Sequence, residues 1–180
     1  MTRFRTIKGG QIIMNSTEYT ALFIVIALIL FGLILSLSNK ARQKKEKKNL
    51  WKEFDDFVIK NNLAIDKKQS LNKNVIGIDR LNHKLIFLDK SDGISKFHMV
   101  NLYELSDCRL IKQKNKSNGH ISNIFLQCIF SQKDIADIFL PFYNEMDDNL
   151  YKLMRLSRKA YYWQKSINIF RQAAVLSTAQ

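Results

Sequence analysis

Residues 19–37 read YTALFIVIALILFGLILSL and carry no charged side chain. From Ala21 to Leu35 the run is apolar throughout, apart from Gly32. At about 1.5 Å of rise per residue the stretch is roughly 28 Å long as a helix, close to the ~30 Å of bilayer hydrocarbon. A helix at the surface of a soluble core keeps one polar face, and this run has none. The spacing predicts a single transmembrane helix, with Tyr19, Phe23, Ile26, Leu30, Leu33 and Leu37 among its lipid-facing residues. A cleaved signal peptide with Ser36-Leu37-Ser38 as its small-residue site is the rival reading. The length of the apolar run and the dense positive charge after it argue against that rival.

Charge sets the expected orientation. The chain has 180 residues and a formal net charge of +13. Residues 1–18 hold Arg3, Arg5 and Lys8 against Glu18. After the apolar run come Lys40, Arg42, Lys44, Lys45, Lys47 and Lys48. Basic flanks stay on the cytoplasmic side, which predicts residues 1–18 outside the cell (inner) membrane and the C-terminal part in the cytoplasm. Lys-Gly-Gly-Gln shortly before Met14 is what a translated ribosome-binding site would look like, so Met14 is an alternative start. The basic cluster sets topology and is also a candidate lipid-headgroup site, since each Lys or Arg near an anionic surface contributes about 1 kcal/mol.

Residues 38–62 are expected to form a juxtamembrane helix. Leu50, Phe54, Phe57 and Val58 recur at helical spacing beside Trp51, and this stripe is expected to pack on the globular domain. Asn61-Asn62 is the expected stop, because Asn tolerates the left-handed backbone after a helix. From residue 63 the pattern becomes strand-like. VIGID (75–79) and KLIFLD (84–89) flank a turn at 80–83. A turn at 91–93 leads into 94–102, where Phe97 and Met99 share a face. Further strands are expected at 108–114, 121–131 and 135–143, with a seventh possible at 63–67. Pro141 donates no backbone hydrogen bond, which places the 135–143 strand at an edge or near its end there. The last element is a helix with Asp147, Asp148 and Asn149 at its start. Leu153, Leu156, Ala160, Trp163, Ile167, Phe170 and Ala174 form one apolar stripe. Residues 175–180 are expected to be a frayed tail.

The expected fold class is α+β: an N-terminal transmembrane helix, then an antiparallel β-barrel or sandwich of six or seven strands capped by a long C-terminal helix, with the domain covering residues 63–174. Ile76-Gly77-Ile78-Asp79 with Lys84-Leu85-Ile86-Phe87, then Leu105 and Cys108-Arg109-Leu110, then Ala160, Trp163 and Ile167 follow an element order that resembles the pleckstrin-homology (PH-like) superfold. The chain is also similar to small bacterial membrane proteins built from one span, a basic linker and a PH-like domain. The resemblance covers roughly residues 63–171. It implies an interaction module and brings no catalytic residues. The basic loop that eukaryotic members use for inositol phosphates has no counterpart, so phosphoinositide binding does not follow.

No motif for catalysis stands out. Six glycines are scattered, with no phosphate-binding loop, nucleophile elbow or metal-spaced Cys and His. His83, His98 and His120 lie far apart. Cys108 and Cys128 sit in apolar strands and read as buried free thiols. A Cys108–His98 dyad lacks an orienting third group. Asp55-Asp56 and Asp147-Asp148 read as solvated or capping carboxylates. Lys112, Lys114 and Lys116, with Phe125, Phe139 and Tyr143 as stacking surfaces, would be the nucleic-acid face; membrane topology already accounts for much of the charge, and nucleic acid is not the expected partner. The expectation is a non-enzymatic protein without cofactor or metal. Its partners are membrane lipids and either a protein partner or a second copy. Contact is expected through the loop at 115–120 (Lys114, Lys116, His120), the edge strand (Phe139, Tyr143) and the basic face of the last helix. The alternatives are an anionic-lipid sensor that uses the basic juxtamembrane cluster and a membrane-tethered nucleic-acid binder.

Overall fold

The computed structural model describes residues 16–178, and of residues 16–23, 25, 35 and 177–178 the backbone alone. The segment before residue 16, with the alternative start at Met14, lies outside the described residues.

Two compact units divide between Glu46 and Lys47. The first is helical. It holds the N-terminal part of α1 (Ser16–Lys60), which carries the apolar run. Ile24, Ile26, Leu28, Ile29, Leu30, Phe31, Leu33, Ile34 and Leu37 are each exposed, with Leu30 and Leu33 at 54%. Successive positions at about 100° per residue cover the whole circumference, so no side of this segment is polar. Lys40, Arg42, Lys44 and Lys45 follow, all exposed. Arg42 pairs with Glu46 at 3.0 Å. Among the described residues no helix is long and apolar enough to cross a membrane. The side chains at 19–23, 25 and 35, Tyr19 and Phe23 among them, lie outside that description.

The second unit begins at Lys47, earlier than the expected domain start at residue 63, because the end of α1 is a wall of its core. Leu50 and Phe54 are buried against Val75, Ile86 and Leu88, with Trp51, Phe57, Val58, Leu63, Ile65 and Phe97 around them. The Phe57 and Phe97 rings stack at 4.1 Å. The stop falls where the sequence places it. Asn62 has φ 51°, and the Asn62 and Leu63 amides donate to the Ile59 and Val58 carbonyls at 3.1 and 3.0 Å. That pair of bonds is a Schellman stop.

Seven antiparallel strands follow: β1 (Lys67–Ser70), β2 (Val75–Asp79), β3 (Lys84–Asp89), β4 (Lys96–Asn101), β5 (Leu105–Lys114), β6 (Ile121–Phe130) and β7 (Ile138–Asn144). They form a four-stranded sheet β1-β2-β3-β4 and a three-stranded sheet β5-β6-β7. The sheets stay separate and no closed barrel forms, because the turn after β4 redirects the chain: β5 pairs with β6 and not with β4. The possible strand at 63–67 is instead β1, which begins where that stretch ends. Leu63 and Ile65 pack under α1, and pairing with β2 starts at Lys67↔Ile78. β4 and β7 each start later than expected, at Lys96 and Ile138.

The two central strands of the four-stranded sheet, β2 and β3, are covered on both faces, which is why VIGID is buried at every position. Ile76, Ile78, Leu85, Phe87 and Val100 face the second sheet, while Val75, Ile86 and Leu88 face α1. Gly77 lies where α1 comes closest: a Cβ there would sit 2.8 Å from Cζ of Phe54. α2 (Leu150–Thr178) closes the main core. Its stripe is buried as expected, with Leu156, Ala160, Trp163, Ile167 and Ala174 at 0% exposure. The helix continues to Thr178 where a tail from residue 175 was expected. Asn149 caps it, its side chain accepting from the Tyr151 amide at 2.7 Å. Asp147 and Asp148 lie before the first turn and hold the β1–β2 loop, through Lys73 at 2.7 Å and Asn72 at 2.7 Å.

Candidate functional site

Nothing in the fold assembles the imagined chemistry. Cys108 and Cys128 are both free, buried thiols; they stand directly opposite each other in the β5–β6 register, on a different sheet from His98 of β4. The neighbouring Cys128 thiol and burial push the Cys108 thiol up, away from the reactive thiolate form. Among the described residues no group of three or more His, Cys, Asp or Glu could hold a metal ion. Asp55 pairs with Lys68 at 2.6 Å on the surface.

Among the described residues one carboxylate is buried. Asp79, at 0% exposure, organises the β2–β3 turn. It accepts from the Ala64 amide at 2.7 Å and from the Asn82 amide and side chain at 2.9 and 2.7 Å. Burial alone would raise its pKa; the side-chain and backbone donors outweigh it and hold the carboxyl below the usual range. The Asn82 contacts lie within the turn and the Ala64 amide comes from the segment before β1, so the group anchors the turn to that segment.

The expected contact residues separate. Lys114, Lys116 and His120 are exposed around the β5–β6 loop. Phe139 is 52% exposed on the outer face of the three-stranded sheet, edge-to-face with Phe125 at 6.4 Å. Tyr143, expected as a surface contact, is 2% exposed and belongs to the core. A register shift between Ile124 and Phe125 turns its ring inward. β7 is an edge, as Pro141 suggests, but the Asn74 side chain donates to the Pro141 carbonyl at 2.9 Å and blocks the strand there. Lys47 and Lys48 are exposed.

Sequence reading missed the other edge, β5. Its first half is also blocked. Asn168 of α2 accepts from the Cys108 amide at 3.1 Å and donates to the Cys108 carbonyl at 2.9 Å. Gln164 reaches the same carbonyl at 3.3 Å, and Arg171 bonds the Ser106 carbonyl. Beyond Cys108 the helix draws away, and an open groove of about 400 Å³ runs between β5 and α2. Leu110, Ile121, Leu153, Met154 and Tyr161 line it, with Lys112 and Arg158 at the rim. The signal in the sequence was faint: three amide or guanidinium side chains, Gln164, Asn168 and Arg171, three to four residues apart beside the apolar stripe of α2.

No protein-family model, curated protein or solved structure matches the chain. Function therefore rests on the surfaces just described. α2 holds no Asp or Glu from end to end; Arg155, Arg158 and Lys165 are exposed on it, while Lys152 reaches Asp148 at 3.5 Å and the half-buried Lys159 donates to the Ser70 carbonyl of β1 at 2.8 Å. Burial, and then the charges of Arg155 and Lys47, push the Lys159 ammonium down.

Proposed function

We propose that the chain is a single-pass membrane protein that presents a PH-like domain to a protein partner in the cytoplasm and catalyses no reaction. The observation that carries the membrane half is the exposure of nine large apolar side chains of α1 between Ile24 and Leu37, in a stretch without a charged residue. Such a surface is stable in lipid and not in water. The cations Lys40, Arg42, Lys44, Lys45, Lys47 and Lys48 then favour the cytoplasmic side. The likeness to the PH-like superfold is supported by the order of seven antiparallel strands in two sheets followed by one helix with a buried Trp163. The non-enzymatic half is supported by the burial of both thiols and by a buried carboxylate whose acceptors are taken up by backbone and side-chain donors of the fold.

Membrane fractions washed with alkaline carbonate test the anchor: the full-length protein stays in the pellet and needs detergent for release. Release by carbonate would remove the transmembrane reading. Crosslinking in the native cells followed by purification from membranes tests the module, with a stoichiometric partner or a second copy as the expected product. A second reading, an anionic-lipid sensor, is favoured by the acid-free basic side of α2 together with Lys47.

A further inference from the structure

We propose that the open half of the β5 edge binds an extended, acidic-apolar segment of a partner protein as an added strand. This deepens the interaction-module reading and rests on it. Successive residues of a strand alternate in the side to which their backbone groups point. Cys108 turns its N–H and C=O toward α2, where Asn168 takes both. Leu110 and Lys112 share that parity in a register that is regular from Asp107 to Gln113. Their N–H and C=O groups therefore point into the groove, where β5 has no neighbouring strand. Edge strands of natural proteins are covered or charged. Here α2 covers one stretch with three polar side chains and leaves the next bare.

The groove beside the bare stretch supplies the second half of strand addition, a place for side chains. Its volume, about 400 Å³, falls within the common range of ligand pockets, about 300–1,000 Å³. Its floor is apolar: Leu110, Ile121 and Leu153, with Met154 at 75% and Tyr161 at 59% exposure. Its rim is cationic. Lys112 and Arg158 flank it, Lys114 and Lys116 continue the strand, and no acidic residue lies in β5 beyond Asp107 or anywhere in α2. Backbone pairing gives affinity, the apolar floor takes one or two side chains, and the rim selects acidic neighbours. A basic or proline-rich segment fails on charge or on the missing N–H.

The test uses the full-length protein in uncharged detergent micelles and a labelled peptide about ten residues long that alternates leucine with glutamate. Hydrogen exchange by mass spectrometry or NMR is expected to show at least about tenfold slowing at the Leu110 and Lys112 amides on binding. Arg158→Glu, at an exposed position, is expected to weaken binding about tenfold without affecting folding. Ser157 of α2 also lines the groove; Ser157→Trp fills it and abolishes binding, with an unchanged thermal transition as the folding control. The lysine-for-glutamate peptide is not expected to bind. Protection on β7, unchanged exchange at Leu110 and Lys112, or equal binding of the lysine peptide would each overturn the strand-addition proposal. A partner crosslinked in cells through another surface would then leave the interaction module standing without this groove. Displacement of the peptide by anionic vesicles would also overturn it and move the site to the lipid reading.

Discussion

At the scale of single residues, two positions do more than their chemistry suggests in isolation. Gly77 accepts the Phe54 ring where any Cβ would lie 2.8 Å from it. Phe54 is fully buried and has nowhere to move. Gly77→Ala is expected to cost about 1–3 kcal/mol, read as a lower denaturant midpoint. Asp79 carries a pH dependence. Its folded pKa lies below the ordinary 3.8. Its contribution is therefore fully present above that value and is lost as pH falls through the lower folded value. Denaturant titrations below about pH 4 should show the loss, and Asp79→Asn should flatten that limb. Neither role is legible in the sequence. Gly77 looks like one loose residue in a strand, and Asp79 like an ordinary turn carboxylate, until the segment at Ala64 is brought beside it.

At the scale of elements, periodicity served well where one face is buried and less well where two are. The α2 stripe follows from spacing, and the Asn62 stop from Asn's tolerance of the left-handed backbone. The β2 and β3 spans also match, but their cover on both faces emerges only in the structure. β1 was misplaced because KKQS is polar. Its side chains meet polar tips: Gln69 accepts from the Trp163 indole at 2.8 Å, and Lys67 bonds Tyr162 and Ser166. Tertiary partners that distant cannot be read locally. The half-covered β5 edge escaped for the same reason, since its blockers lie about sixty residues away. The last turns of α1 behave as part of the domain. Phe54→Ala should cost about 3–5 kcal/mol in the unfolding of the second unit, as large as a loss from the main core. A cost below about 1 kcal/mol would show that this wall is dispensable.

At the scale of the whole molecule, the two units have different solvents in the proposed arrangement. The helix up to Glu46 is held by lipid, and the unit from Lys47 by its own core. In detergent, far-ultraviolet circular dichroism is expected to show one cooperative thermal transition for the second unit. Helical signal from the first should remain above it. Complete loss of helicity in that single step would mean that the units melt together. The wall formed by Leu50 and Phe54 also has a consequence for synthesis. A ribosome makes this stripe before any of its cover, since Val75, Ile86, Leu88 and Phe97 all come later in the chain. During that interval the nascent protein displays a bare apolar ridge directly behind its apolar helix. The ridge is covered only once the sheet has been made, and until then it is the part of the unit most exposed to aggregation.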